Sequence, residues 1–115
     1  MRKILAVFLA LVSMQAMGAS NVLLWDEAST NELGFSIERK PVACAATGTF
    51  VEIATVTQNI TTYTDSSVVE GVTYCYQVRA FGPGGLYSGY SNTAERLVPF
   101  TAPIAPSNLR VQGGT

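Results

Sequence analysis

The 115-residue chain contains no histidine. That absence removes the usual general base at neutral pH, the commonest transition-metal ligand and every Ser-His or Cys-His dyad, so any catalysis would rest on carboxylates alone. Charge is sparse too. The 7 basic and 8 acidic side chains leave a net charge of −1, and the basic ones are scattered rather than gathered into a stripe that could track a nucleic-acid backbone. Asp26, Glu27 and Glu32 lie close in sequence, but they form no D-x-[DN]-x-[DN]-G calcium loop. Neither a metal nor another cofactor is expected, and no nucleic-acid partner. Beyond the N-terminus no stretch shows helical spacing over a useful length. Cysteine is limited to two residues, which in an exported chain most often form one disulfide.

The one long apolar run, Ile4 to Val12, follows Arg2 and Lys3 and precedes the small residues Ala16, Gly18 and Ala19. A charged start, a short apolar stretch and a small-residue zone read as a secretory signal peptide over residues 1–18, cut after Gly18 or, as the next choice, after Ala19. A membrane anchor is the competing reading. Spanning takes about 20 apolar residues, and Ser13 and Gln15 interrupt the run. With no cysteine following it, lipid attachment there is unsupported. The remainder suffices for one small sandwich and is too short for two independent cores. Its expected location is secreted, periplasmic or extracellular, with no membrane span once the signal is removed.

What is present is alternation. From Gly71 to Phe81 the residues Val72, Tyr74, Tyr76, Val78 and Ala80 alternate with Thr73, Cys75, Gln77 and Arg79, the period-two pattern of a strand buried on one face. Asn21 to Trp25 is a short strand ended by Asp26. In Gly34 to Lys40, Phe35, Ile37 and the Arg39 stem share a face, and Pro41 stops the run. Phe50 to Val56 follows the Thr47-Gly48 turn, Thr61 to Asp65 is centred on Tyr63, and Tyr87 to Val98 follows the tight loop Gly82-Pro83-Gly84-Gly85. Short strands at this spacing predict an all-β sandwich.

In order, Leu23-x-Trp25, G-F-S-I-E-R-K, F-V-E-I-A-T-V, T-T-Y-T-D, G-x-T-Y-x-Y-Q-V-R-A-F and G-x-x-S-x-Y-S-N resemble the fibronectin type III family over residues 21–97. The resemblance implies an immunoglobulin-like β-sandwich of two antiparallel sheets over residues 19–98, with strands B (21–26), C (34–40), C′ (50–56), E (61–65), F (71–81) and G (87–98). It implies a core of Leu23, Trp25, Ile37, Tyr74, Tyr76 and Val78, with Tyr74 as a tyrosine corner whose hydroxyl bonds backbone near Val68 to Glu70. Since C and F are neighbours in that fold, Cys44 and Cys75 fall at one pole, with Cys75 on the outer face. A bridge there would close a loop of about 30 residues, a stabilisation of about 3 to 4 kcal/mol in the chain-entropy model. Two free thiols or an intermolecular bond are the alternatives.

Family members often meet partners through the F to G loop, here Gly82, Pro83, Gly84, Gly85, Leu86 and Tyr87. That loop holds no Arg-Gly-Asp, and no helix follows that would make its glycines a phosphate cradle. Glu38 and Glu52, on adjacent strands, are the best pair for a carboxylate hydrolase; both are expected on an open, solvated sheet face. Asn59-Ile60-Thr61 is a glycosylation sequon at a turn. Strand A is missing before Asn21. The Pro-rich tail, residues 99–115, supplies a segment like it, Pro106 to Gln112, with Leu109 and Val111 on one face and Arg110 and Gln112 on the other. Two functions follow: a non-catalytic module for binding, adhesion or spacing, whose partner is an extracellular or cell-surface protein or glycan, or a subunit that self-associates head to tail through Pro106–Gln112. The first reading includes truncation from a multi-domain protein.

Overall fold

Alternating apolar and polar residues can all be satisfied in a strand only if one face lies on a core. In a computed structural model, which describes residues 18–114, the stretch so patterned becomes β5 (Thr73–Phe81), with Tyr74, Tyr76 and Val78 buried on its inner face. Residues 1–17 of the expected signal peptide lie outside the described residues. The other strands are β1 (Asn21–Leu24), β2 (Gly34–Lys40), β3 (Val51–Thr57), β4 (Thr62–Asp65) and β6 (Ala94–Leu97). β1 and β4 form a two-stranded sheet, and β3-β2-β5-β6 a four-stranded one; every pairing is antiparallel. The result is the expected all-β sandwich of two antiparallel sheets. No helix among the described residues is long and apolar enough to cross a membrane.

β2 lies between β3 and β5, so both its edges are paired, and side chains on both its faces are buried. Phe35 and Ile37 point inward and are 5% and 0% exposed. Its register with β3 slips between Ile37 and Glu38, so that Ile37 faces Ala54 while Glu38 faces Glu52. This β-bulge changes which face the following side chain takes. Without it, alternation from Val56 and Ala54 would aim Glu52 into the core.

Only β2 has the limits read from the sequence; β3 and β4 are displaced by one residue, and three strands differ by two or more. β1 ends at Leu24, although Trp25 N–H still donates to the Thr61 carbonyl at 3.1 Å. β5 begins at Thr73 because Gly71 turns the chain with φ 84°, and a Cβ there would stand 2.4 Å from the Phe100 ring. β6 is the largest departure, four residues instead of the whole of Tyr87 to Val98. Ahead of it, serine hydroxyls take the place of backbone acceptors: Ala80 N–H donates to Ser88 Oγ at 2.8 Å and Val78 N–H to Ser91 Oγ at 3.0 Å. In return Ser88 N–H donates to the Ala80 carbonyl at 2.9 Å and Ser91 N–H to that of Val78 at 2.7 Å. The segment stays attached to β5 without being a regular strand.

The core joins Phe35, Ile37, Tyr74, Tyr76, Val78 and Val98. Leu23 and Trp25, expected within it, are only partly buried and pack at its margin, Trp25 edge-on to Phe35 with ring centroids 5.6 Å apart. Val98 is instead fully buried, tied by its N–H to the Val72 carbonyl at 3.0 Å and by its carbonyl to Gly71 N–H at 2.7 Å. Thr101 is fixed next, its N–H and Oγ1 donating to the two Glu70 carboxylate oxygens at 3.1 and 2.7 Å; these bonds hold the Glu70 carboxyl below its ordinary value. Past Thr101 the described residues make no strand.

Candidate interaction surfaces

On the outer face of the four-stranded sheet, Glu38, Gln77 and Arg79 stand side by side because Glu38 pairs with Gln77 across β2 and β5. Glu38 is not the solvated surface carboxylate expected of it. The segment after Tyr87 folds over the sheet and brings the Tyr90 hydroxyl to Glu38 Oε2 at 2.8 Å, while Gln77 Nε2 donates to Oε1 at 2.8 Å, and Glu38 is left 9% exposed. Accepting that proton, the Glu38 carboxylate holds the Tyr90 phenol above the usual tyrosine range. The Arg79 guanidinium lies 3.7 Å from the Tyr87 ring centroid and 4.7 Å from that of Tyr90, with Nη2 3.9 Å from Glu38 Oε2. Glu52 is occupied separately, accepting the Ser36 hydroxyl. The two carboxylates are each engaged elsewhere rather than poised as an acid–base pair.

Beside this cluster is the loop between β5 and β6. Pro83–Gly85 makes one 3₁₀ turn, with φ 76° at Gly84 and 73° at Gly85, a conformation that glycine takes without a Cβ penalty. Gly82 N–H closes the loop on the Leu86 carbonyl at 2.8 Å, and Tyr87 bridges back to Phe81. The loop presents Leu86 and Tyr87 outward, 73% and 52% exposed. With Ser29, Asn31 and Glu32 it borders a shallow depression of about 360 Å³.

At the opposite pole Cys44 and Cys75 are joined in a disulfide, their Cα atoms 5.0 Å apart. Cys75 points outward yet is fully buried, because the Cys44 loop lies over it. Lys40 holds that loop, Nζ donating to the carbonyls of Cys44 at 3.0 Å and Ala46 at 2.8 Å beneath the Phe50 ring. Val69 N–H donates to the Tyr74 hydroxyl at 3.0 Å, inside the Val68 to Glu70 stretch that the resemblance implied.

Sequence reasoning missed the buried polar network beside it. Asp65, 1% exposed, accepts Arg39 Nη1 at 2.8 Å and the Tyr76 hydroxyl at 2.7 Å on Oδ2, and the N–H and Oγ of Ser67 at 3.1 and 2.8 Å on Oδ1. Asn21 Nδ2 donates to the Tyr76 oxygen at 2.9 Å, and Arg96 Nη1 to Asn21 Oδ1 at 2.6 Å. Burial pushes the Asp65 carboxyl up, but the bonds from Tyr76, Ser67 and Arg39 outweigh it and hold the group below its ordinary 3.8. Burial, with the bond to Asp65 and its charge, raises the Tyr76 phenol well above the usual range. The signal available was Arg39 on an inward position of β2, a charge that has to find a buried partner.

The remaining residues do not converge. Glu32 is buried and accepts Ser29 Oγ at 2.8 Å, and among the described residues no cluster of three or more acidic or cysteine side chains is arranged to hold a metal. Asn59 occupies the β3–β4 turn, exposed, with φ 66°. Leu109 and Val111 are 97% and 95% exposed, and no strand pairs with either.

Two antiparallel sheets in this strand order, with a core-facing tryptophan just after β1 and a bonded corner tyrosine on β5, define a fibronectin type III-like sandwich. No family model matches the chain, and no curated protein matches it. Among solved structures it is similar to an Fn3-like protein from Clostridium thermocellum, at a TM-score of 0.57 and 27% identity over 74% of this chain and 82% of that one. It is also similar to a pectate lyase from Pectobacterium carotovorum in two crystal structures, at 23% identity and TM-scores of 0.57 and 0.54. There the match takes in 78% of this chain but only 25% of the lyase chain, and the likeness is one of fold.

Proposed function

We propose that the chain is an exported, non-catalytic binding module that meets an extracellular or cell-surface protein or glycan through the loop between β5 and β6. The observation that carries this reading is the exposed Leu86–Tyr87–Tyr90 surface, 73%, 52% and 45% exposed, set around the Arg79 guanidinium. Aromatic and arginine side chains are the types enriched at interface centres. Here Tyr90 and Arg79 are held in place by Glu38, so little side-chain freedom is left to lose on binding. Export is supported by the disulfide, which persists in oxidising compartments. The non-catalytic reading is supported by the engagement of Glu38 and Glu52 in separate hydrogen bonds.

The test is saturable binding of the labelled protein to the surface of the producing cells and to arrays of extracellular proteins and glycans. Leu86→Asp and Tyr87→Ala should each reduce binding at least tenfold, Leu86→Asp with the thermal midpoint unchanged and Tyr87→Ala with it lowered only by the loss of the ring contact with Arg79. Binding that is equal for both variants and the parent would contradict this assignment, as would turnover of a polysaccharide that Glu38→Gln abolishes.

A further inference from the structure

The two sheets are unequal in width. Four strands spaced about 4.8 Å apart face only two, and the inner surface of the wider sheet is left uncovered on one side. All four residues of β6 are exposed, an unusual pattern for a sandwich strand. Between β6 and β1 runs a groove of about 680 Å³ whose wall includes Leu23, Trp25, Tyr76, Val78 and Ala94. Trp25 Nε1 is buried there without a hydrogen-bond partner. Among the described residues β1 pairs only with β4, and Trp25 N–H points toward β4. Since orientation alternates along an antiparallel strand, the N–H and C=O groups of Val22 and Leu24 face the groove's open side. The groove thus combines a floor of Tyr76, Val78 and Ala94, bridged at its Asn21 end by Arg96, with an unpaired edge at Val22 and Leu24.

We propose that this groove receives residues Leu109–Gln112 of a second copy of the chain as a strand antiparallel to β1. The donor is as long as β1, and its alternation fits: Leu109 and Val111 would face the groove floor with Leu23 and Trp25, while Arg110 and Gln112 face solvent. Both apolar side chains are almost fully exposed in the single chain. Added strands take their affinity from main-chain hydrogen bonds and their specificity from alternate side chains.

The chain's own tail cannot make this antiparallel strand. Thr101 is clamped to Glu70 at the pole where β5 begins, whereas an antiparallel strand must enter at the level of Trp25 and Phe35, opposite Ala80. That climb is about 30 Å at about 3.3 Å per residue, and the chain must then reverse. Thr101 to Leu109 spans about 25 Å at a polyproline rise of about 3.1 Å. A tail rising directly beside β1 would run parallel to it and place there Pro103 and Pro106, which have no N–H to donate. A neighbour's tail arrives from the required end. The contact is head to tail, the kind that propagates from copy to copy into rings or open chains.

The experiment is light scattering of the exported chain over a 100-fold concentration range, with emission of Trp25 read in parallel. Mass should rise past two chains as Trp25 emission shifts to the blue. Leu109→Lys combined with Val111→Lys alters only exposed tail residues and should keep one-chain mass and red-shifted emission throughout. Leu24→Pro removes an N–H on the open edge and should also prevent growth. Mixed together, the two variants should form a one-to-one pair and nothing larger, since one keeps a working groove and the other a working tail. An unaltered chain that stays monomeric at every concentration overturns the proposal, and so does assembly that survives the Lys substitutions.

Discussion

The pole at which β5 begins and the flank between β1 and β6 are built from the same strands and finished differently. At the pole a disulfide, the Tyr74 hydroxyl, the Asp65 network and the Val98 backbone bonds tie β1, β2, β4, β5 and β6 together within a few residues of one another. On the flank, Trp25 and Leu23 sit half-buried above a groove, and β1 has an unpaired edge. A small sandwich can leave one flank unfinished when its stability is concentrated elsewhere. Three substitutions sharpen that contrast.

The largest effect is expected from the disulfide. Replacing Cys44 and Cys75 by serine opens a loop of 31 residues, which should cost about 3 to 4 kcal/mol. The domain should be destabilised and still folded, because the core does not depend on the bridge. Urea denaturation measures the loss, and an unchanged midpoint would mean that the pole is held without it.

Next is Asp65→Ala. Deleting one partner of a buried pair leaves the other charge uncompensated; Arg39 is 21% exposed and can regain water, so about 3 kcal/mol, the low end of the usual range, is expected. The effect should depend on pH in one direction. The Asp65 carboxyl titrates below its ordinary 3.8 when folded, so its stabilisation is present above that pH and lost as pH falls through the folded value. Parent and variant should therefore converge in acid, and a gap that stays constant down to pH 2 would contradict the network.

The smallest effect compares two tyrosines. Tyr74→Phe removes the acceptor of Val69 N–H and should cost about 1 kcal/mol. Tyr87→Phe should cost nothing, since the Tyr87 contact with Arg79 is made by its ring. Equal midpoints in thermal melts would show that the corner bond contributes nothing to the pole.

Two of the pole's ties, the disulfide and the Tyr74 hydroxyl, could be read from the sequence; the Asp65 network, the Val98 bonds and much of the flank could not. Alternation around Tyr74 set the inner face of β5, and the family resemblance, which makes C and F neighbours, put Cys44, just after C, and Cys75 at one end. Alternation is blind to a one-residue bulge, however, so nothing in F-V-E-I-A-T-V announced the slip that turns Glu52 outward. The four-residue β6 was hidden for a related reason, because serine hydroxyls imitate backbone acceptors over a stretch that still looks like a strand. Glu38 appeared solvated since its cover, Tyr90, comes from a segment whose path no periodicity describes. Trp25 was legible as inward-pointing. How far it would be covered depends on what lies beside β1, and that is a property of the sheets and not of its neighbours in sequence.

Hydrogen exchange of the individual amides from Val22 to Trp25 tests the contrast most directly. In dilute solution the Leu23 and Trp25 amides, which face β4, should be protected, while those of Val22 and Leu24 exchange at rates near the unfolded limit. On raising the concentration, or on adding a synthetic peptide of residues 105–115 in excess, Val22 and Leu24 should slow at least tenfold with little change at Leu23 and Trp25. Protection of Val22 and Leu24 already complete in the dilute monomer, or unaltered by the peptide, would contradict an open flank that receives a strand.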